Sequence, residues 1–259
     1  MEFRIKKRTL AFVSPLVLWA PAICAQTEFR YEVWHGHPRP PHIKKAGNMG
    51  ALFITSSGIL FEERYPDKRP KHPHRWFWDY RDIQQLKIEP RSLIVLTYTS
   101  DKWKLGADRQ YQFDIVSEKT FQEAYPFLKQ RLDQRFVAGL AERPADVLWE
   151  MPVKHLLRFG GDEGVLRVGP DTLVYSSDKT GESRTWRYED IENISSAGPF
   201  QLTITTFERA ATHYGDLKGF NFALKERLDD GRYNDLWLRL NQAKGLTVLD
   251  AYREAGEEQ

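Results

Sequence analysis

The sequence has almost no cysteine: Cys24 is the single one among 259 residues. A disulfide within one chain needs a second cysteine, so this kind of cross-link is excluded. An excess of charge of one sign is also lacking, because 38 Lys and Arg residues face 36 Asp and Glu residues. Such a chain has no general attraction for nucleic acid or for an anionic membrane surface. With 13% aromatic residues, it has enough material for a packed core, which excludes a disordered or collagen-like protein.

The sequence motifs of several large enzyme classes are absent as well. There is no G-x-S-x-G nucleophile elbow, no G-x-x-x-x-G-K-[ST] phosphate loop, no H-E-x-x-H metal motif and no G-x-G-x-x-G dinucleotide motif. We therefore predict a non-catalytic protein without a cofactor, and we identify no catalytic residue. The segment Arg184–Tyr188 alternates basic and aromatic residues, which is found in single-strand nucleic-acid binders. We interpret its aromatic residues as core residues and expect no nucleic-acid partner.

One long apolar run stands at the start of the chain, from Leu10 to Ala22. It follows a cluster of basic residues: Arg4, Lys6, Lys7 and Arg8. This order is typical of a secretory signal peptide, and the run is shorter than the roughly 20 residues of a membrane-spanning helix. We predict a signal peptide over residues 1–25, with cleavage after Ala25 or, as the second choice, after Ala22. The mature protein would then be exported, periplasmic or secreted, with no membrane span, no cysteine and a net charge of −1 after loss of four bases and one acid.

The most specific pattern is an internal repeat, in which blocks of the first half recur in the same order in the second half. The matching blocks are Gly50–Ile54 with Gly164–Val168 and Ile59–Phe61 with Leu173–Tyr175 at an offset of 114, Trp78–Ile83 with Trp186–Ile191 at 108, Ile94, Leu96 and Thr97 with Leu202, Ile204 and Thr205 at 108, and Tyr111–Phe113 with Phe220–Phe222 at 109. Before these blocks, Trp34 and His42 are echoed by Trp149 and His155. We infer a duplicated unit.

Each copy has the pattern of several strands followed by one helix. Alternating apolar residues predict half-buried strands, for example Leu52/Ile54, Trp78/Tyr80, Ile94/Leu96/Tyr98 and Tyr111/Phe113. Tight turns are predicted at Ser56–Gly58 and Gly169–Asp171, and a bulge or turn with backbone-accepting carboxylates at Asp82 and Asp190. A helical period then follows in each copy, over Phe121, Tyr125, Leu128, Leu132 and Phe136, and over Tyr233, Leu236, Trp237 and Leu240. Pro126 predicts a helix start or a kink.

This order of Gly-x-Leu-x-Ile/Val, turn, apolar strand, Trp-x-Tyr-x-Asp-Ile, further strands and helix resembles the pleckstrin-homology superfold in its bacterial and GRAM-like variants. The resemblance implies a mainly β protein with capping helices (α+β): two bent antiparallel barrels in tandem, each of about seven strands and closed by a C-terminal helix. The implied division is a signal peptide over 1–25, a leader over 26–46, a first unit over 47–137, a linker and lead-in over 138–159, a second unit over 160–244 and a tail over 245–259. The family's lipid-binding loop would be Ser56–Gly58 or Gly169–Asp171, and neither contains a base.

The clearest candidate binding segment is the loop between Arg64 and Arg75. It combines five bases and two histidines with several prolines, and the candidate ligand-binding residues are Arg64, Lys68, Arg69, Lys71, His72, His74 and Arg75. Such a loop can bind a phosphate, a sulfated glycan or a lipid head group, or it can be a solvated insertion. The second copy has fewer bases in the corresponding segment, so this function would belong to the first copy alone.

Histidine spacing gives a second candidate, because His35-x-His37 and His72-x-His74 each place two imidazoles on one side of an extended chain, with His42 nearby. No cysteine or carboxylate at a fixed spacing completes a metal site, so we assign no metal ligand. Three hypotheses for the function remain: an exported binding or scaffold protein of the cell envelope with a protein or peptide partner, an anionic-ligand binder that uses the Arg64–Arg75 loop, and a metal-dependent enzyme that uses the His-x-His pairs.

Overall fold

The structure is a computed structural model that describes residues 27–36, 47–64, 74–101, 106–210 and 215–245. The predicted signal peptide and most of the C-terminal tail lie outside the described residues. No helix in the described part of the chain is long and apolar enough to cross a membrane.

In the described part of the chain, fifteen strands dominate the fold, which is mainly β as predicted. The first seven are β1 Thr27–Gly36, β2 Gly47–Thr55, β3 Gly58–Glu63, β4 Arg75–Asp79, β5 Ile83–Ile88, β6 Ser92–Ser100 and β7 Asp108–Ile115. A short strand, β8 Phe136–Ala138, follows. The last seven are β9 Trp149–Leu156, β10 Gly161–Val168, β11 Thr172–Ser177, β12 Arg184–Arg187, β13 Ile191–Ser195, β14 Gln201–Arg209 and β15 Leu217–Leu224. The α-helices are α1 Tyr125–Lys129 and α2 Asp230–Ala243.

All the strands belong to one sheet, and the same strand order occurs twice in it. The first half runs β5-β6-β7-β1-β2-β3-β4, and the second half runs β13-β14-β15-β9-β10-β11-β12. Strand β8 joins the halves, since it pairs in parallel with β5 and antiparallel with β12. The sheet is not closed, because within the described residues its two ends are β13 and β4.

Each half has its own hydrophobic core. The first core contains Trp78, Phe113 and the buried residues of the α1 region, and the second contains Trp186, Phe222 and the buried face of α2. Burial of Trp78, Trp186 and Tyr188 confirms the prediction that these aromatic residues pack inside.

The predicted turns are present. A 3-10 turn over Tyr80–Asp82 and another over Tyr188–Asp190 separate the apolar positions that could not share one strand face. In the second turn, the Asp190 carboxylate accepts from the backbone N–H of Arg187 at 2.9 Å, as predicted. In the first turn the accepting carboxylate belongs to Asp79, which accepts from the backbone N–H of Arg81.

The helical predictions differ from the structure in the first half. Helix α1 has five residues and follows a 3-10 turn over Phe121–Ala124, with Pro126 in its first turn as predicted. Phe136, expected on the helix face, lies in strand β8 instead. The second helix, α2, has 14 residues and buries Leu236 and Leu240.

Two further expectations need correction. The expected leader over 26–46 contains β1, which lies between β7 and β2 in the interior of the sheet. In β6 the buried residues are Leu93, Val95 and Thr97 rather than Ile94, Leu96 and Tyr98, because Leu93 pairs with Phe113 and Val95 with Tyr111. The predicted phase of β6 was therefore wrong by one residue, which exchanges the two faces of a strand.

Candidate functional site

The structure describes three of the seven predicted ligand-binding residues: Arg64, His74 and Arg75. Each contacts a carboxylate of the same sheet. Arg64 Nη1 lies 2.7 Å from Glu32 Oε1, Arg75 Nε lies 2.8 Å from Glu62 Oε1, and His74 Nδ1 lies 3.2 Å from Glu63 Oε2. Lys68, Arg69, Lys71 and His72 lie outside the described residues. The described ends of the loop therefore have their basic groups directed at acidic side chains of the sheet.

Of the predicted histidine pairs, the structure describes His35 and His74. His35 is buried, and its Nδ1 lies 2.9 Å from the backbone oxygen of Gln112. Its ring centroid lies 5.1 Å from that of Trp76 in an edge-to-face arrangement, and the His74 ring stacks on Trp76 with the centroids 5.0 Å apart. The sequence did not predict that members of both His-x-His motifs meet on Trp76. His37, His42 and His72 lie outside the described residues.

The pairing register changes both lead-in assignments of the repeat, because it aligns His35 with His155 and therefore Trp34 with Lys154 rather than with Trp149. His35 pairs with Phe113, and His155 pairs with Phe222, the repeat counterpart of Phe113. The counterpart of His155 is therefore His35, and the echo of His42 by His155 was wrong. The reason is a longer β1–β2 connection in the first half, which shifts the histidine relative to the following block.

A polar cluster surrounds His155 at one end of the second half. It is made of His155 from β9, Asp162 from β10, Tyr175 and Ser177 from β11, and Glu182 from the turn before β12. The His155 Nδ1 lies 3.3 Å from Asp162 Oδ1. The Tyr175 hydroxyl donates to Asp162 Oδ2 at 2.5 Å, and the Ser177 hydroxyl donates to the same oxygen at 2.6 Å.

The protonation states in this cluster follow from burial and hydrogen bonding. Burial lowers the pKa of His155, although Asp162 opposes that effect, so the neutral imidazole is favoured. Burial alone would raise the pKa of Asp162, but the hydroxyl groups of Ser177 and Tyr175 outweigh it and lower this pKa. The cluster thus combines a neutral imidazole with an ionised carboxylate. Ligand atoms of His155, Asp162 and Glu182 lie within 4.8 Å of one another, which makes these residues the metal-ligand candidates among the described ones.

A second charged group lies in the interior of the second half. The guanidinium of Arg184 contacts both oxygens of Glu208, and Lys218 Nζ lies 3.1 Å from Glu208 Oε1. Glu208 therefore neutralises the positive charge of Arg184 inside the protein. Arg184 is the first residue of the segment Arg184–Tyr188, whose alternation of basic and aromatic residues is found in nucleic-acid binders. Its basic group is unavailable to an external ligand.

The third feature is the edge of the sheet at β4. Strand β4 pairs with β3, and within the described residues no strand covers its other side. Phe77, at the centre of β4, has 53% of its surface exposed. Strand β12 is the counterpart of β4, and its outer side is covered by β8 through the pair Thr185 and Ala138.

No family model matches the sequence, and the curated proteins include no match to it. Among solved structures, the chain is similar to the C-terminal domain of an unknown protein from Leishmania infantum, with 18% sequence identity and a TM-score of 0.28. That similarity covers 46% of this chain and 94% of the other.

Proposed function

We propose that this chain is a non-catalytic exported binding or scaffold protein of the cell envelope, built from two pleckstrin-homology-like units in tandem, and that it binds an extended segment of a partner protein along the outer side of β4. The observation that carries the proposal is the addition of β8 to β12. At this place the chain binds one of its own extended segments in the way that we propose for a partner.

The addition of β8 uses backbone and side-chain groups of a single edge residue. Thr185 pairs with Ala138 in the antiparallel ladder. Its hydroxyl also donates to the backbone oxygen of Leu140 at 2.8 Å and accepts from the backbone N–H of Glu142 at 2.8 Å. The five residues from Ala138 to Glu142 are thereby fixed to the edge of β12 at three points.

The residue of β4 that corresponds to Thr185 is Phe77. Trp78 pairs with Ile59 as Trp186 pairs with Leu173, so the register of the two strand pairs is the same. The backbone oxygen of His74 accepts from Glu63 of β3. Because backbone groups of alternate residues point to alternate sides of a strand, those of Trp76 also face β3, and those of Phe77 face outward. An unpaired edge of this kind is a template for a further strand.

Anion binding by the Arg64–Arg75 loop is less well supported. Arg64, His74 and Arg75 each face a carboxylate, so a ligand would compete with Glu32, Glu63 and Glu62 for them. By contrast, the outward backbone groups of Phe77 have no strand partner among the described residues. We therefore favour strand addition at β4.

The test compares three forms of the immobilised protein in affinity capture from an envelope extract: wild type, Phe77→Pro and Phe77→Thr. Proline removes the outward N–H and leaves the pairing with β3 intact, which is the position where an edge strand tolerates it. Threonine keeps the N–H and reproduces the residue found in β12. We expect wild type and Phe77→Thr to retain the same proteins, identified by mass spectrometry, and Phe77→Pro to lose them.

Circular dichroism and the melting temperature establish that both variants are folded. Capture of the same proteins in the same amounts by folded Phe77→Pro would refute binding at β4. Short peptides that cover the sequence of a captured protein then identify the bound segment. Addition of that peptide to the wild-type protein should protect the backbone N–H of Phe77 from hydrogen exchange.

A further inference from the structure

The cluster around His155 has a composition that its hydrogen bonds do not fully explain. His155 and Asp162 are both more than nine-tenths buried, and Glu182 at the mouth of the cluster is partly exposed. The contact between His155 Nδ1 and Asp162 Oδ1, at 3.3 Å, is longer than a good hydrogen bond between these groups. Two carboxylates and one imidazole therefore face one another with negative charge in excess.

The spacing of these atoms is that of ligands around a metal ion. In a tetrahedral zinc site with bonds of about 2.0–2.1 Å, neighbouring ligand atoms lie about 3.3–3.4 Å apart. The His155 and Asp162 atoms have this spacing already. Glu182 completes the group within 4.8 Å, and it lies in the turn between β11 and β12, where a partly exposed side chain can move closer.

We propose that His155 Nδ1, Asp162 Oδ1 and a Glu182 carboxylate oxygen bind a divalent transition-metal ion of the zinc type. The donor set of one imidazole and two carboxylates, with no thiolate, is chemically suited to Zn²⁺. Three protein ligands leave a fourth position for water or for an external ligand. The ion would connect β9, β10 and the turn before β12, since each of these elements supplies one ligand.

Neighbouring groups hold two of the ligands in place. Tyr175 and Ser177 both donate to Asp162 Oδ2, which leaves Oδ1 directed at His155. The His155 ring packs at 5.3 Å from the Phe222 ring and at 5.4 Å from the Phe220 ring, so its orientation is fixed by the core. Such outer-shell contacts orient the ligands in protein metal sites.

The first half of the sheet provides an internal contrast at the same position. His35 corresponds to His155, but Asn48 stands in place of Asp162 and His74 in place of Glu182. There, His35 Nδ1 faces the backbone oxygen of Gln112, and Asn48 donates to Glu63. The second half alone thus combines the two carboxylates with a histidine whose Nδ1 faces one of them.

The experiment titrates the full chain, purified without a histidine tag and freed of metal by a chelator, with ZnCl₂ in a calorimeter. Four forms are compared: wild type, Asp162→Asn, Glu182→Gln and, as the matched control, Asp178→Asn, which removes an equal charge from the same neighbourhood. A long-range proton–nitrogen spectrum of wild type records the two ring nitrogens of His155 during the titration. This second readout separates the site from other histidines of the chain.

We expect Zn²⁺ to shift the Nδ1 signal of His155 and to bind at least about tenfold more weakly to Asp162→Asn and Glu182→Gln, with Asp178→Asn unchanged within about twofold. Unmoved His155 signals, or equal zinc affinity in all four forms, would overturn the proposal. Glu182 is partly exposed, so Glu182→Gln stays informative even where Asp162→Asn fails to fold.

Discussion

Arg184 and Glu208 form a two-pronged ion pair in the interior of the second half. Arg184 Nε lies 3.0 Å from Glu208 Oε2, and Arg184 Nη2 lies 3.2 Å from Glu208 Oε1. In the first half the position of Arg184 is occupied by Trp76, which stacks with Phe61 instead. Equivalent places in the two halves are thus stabilised by an aromatic stack in one case and by a buried charge pair in the other.

Removal of one member of this pair is expected to destabilise the protein strongly. Glu208→Ala leaves the Arg184 guanidinium buried without its carboxylate, which costs about 3–5 kcal/mol of unfolding free energy. The matched control is Asp235→Ala, which breaks the partly exposed ion pair with Arg239 and should cost less than about 1 kcal/mol. Urea denaturation measures both, and equal losses would contradict a stabilising role for the buried pair.

The same pair predicts an acid-sensitive stability. Burial alone would raise the pKa of Glu208, but Arg184 and Lys218 outweigh it and lower the pKa from 4.5 to about 2. A carboxyl group whose pKa is lower in the folded state contributes stability above its unfolded pKa and loses it as the pH falls. The stability difference between wild type and Glu208→Gln should therefore be constant above about pH 5 and shrink between pH 4.5 and 2. A difference that grows with acid in thermal melts would refute this assignment.

Truncation of the repeated tryptophans tests the two cores separately. Trp78 is 8% exposed and packs at 4.7 Å from the Tyr111 ring, while Trp186 is 4% exposed and packs at 4.9 Å from the Phe220 ring. We expect Trp78→Ala and Trp186→Ala each to cost about 3–5 kcal/mol in chemical denaturation. Trp237→Ala on α2, where the side chain is 37% exposed, is the control and should cost clearly less. If both Trp78→Ala and Trp186→Ala were as stable as wild type, the assignment of these side chains to the two cores would be wrong.

Close backbone packing at Gly58 gives a prediction from geometry alone. A Cβ added at Gly58 would lie 2.1 Å from the backbone oxygen of Trp78, whereas one added at Gly219 meets nothing within 4 Å. Gly58→Ala must therefore displace β4 from β3, at a cost of about 1–3 kcal/mol or more. Gly219→Ala should be nearly neutral. Similar melting temperatures for both variants would show that β4 is not held at this distance.

How far the sequence predicts the fold depends on whether a segment has a clear period. Trp186 lies between Thr185 and Arg187, so its burial follows directly from the alternation of its strand, and Trp78 occupies the matching position of the repeat. In β6 the residues Leu93–Leu96 are all apolar, so the sequence of this run does not show which alternate residues face the core and which face outward. The partner strand β7 sets it, through pairs that sequence inspection of β6 alone does not contain.

The candidate sites were harder to predict, for a reason of topology. His155, Asp162 and Glu182 come from three different elements, and no motif spans them. The correspondence of His35 and His155 is also hidden in the sequence. His35 precedes Asn48 by 13 residues, whereas His155 precedes the matching Asp162 by only seven. The free side of β4 could not be predicted either, because it is recognised by comparison with the β8–β12 pair, and Phe136 at the start of β8 fits the helical period of the residues before it.

The position of β8 also gives the molecule a polarity. At the junction, β8 pairs with β12 of the second half and with β5 of the first half. The strands left at the ends of the sheet are β4, the counterpart of β12, and β13, the counterpart of β5, so the two ends differ. Although the sheet contains the same strand order twice, an extended ligand that adds as β8 adds to β12 finds one such edge, at β4. Its stoichiometry is therefore one segment per chain, in a single antiparallel direction, and a titration should saturate at 1:1 rather than 2:1.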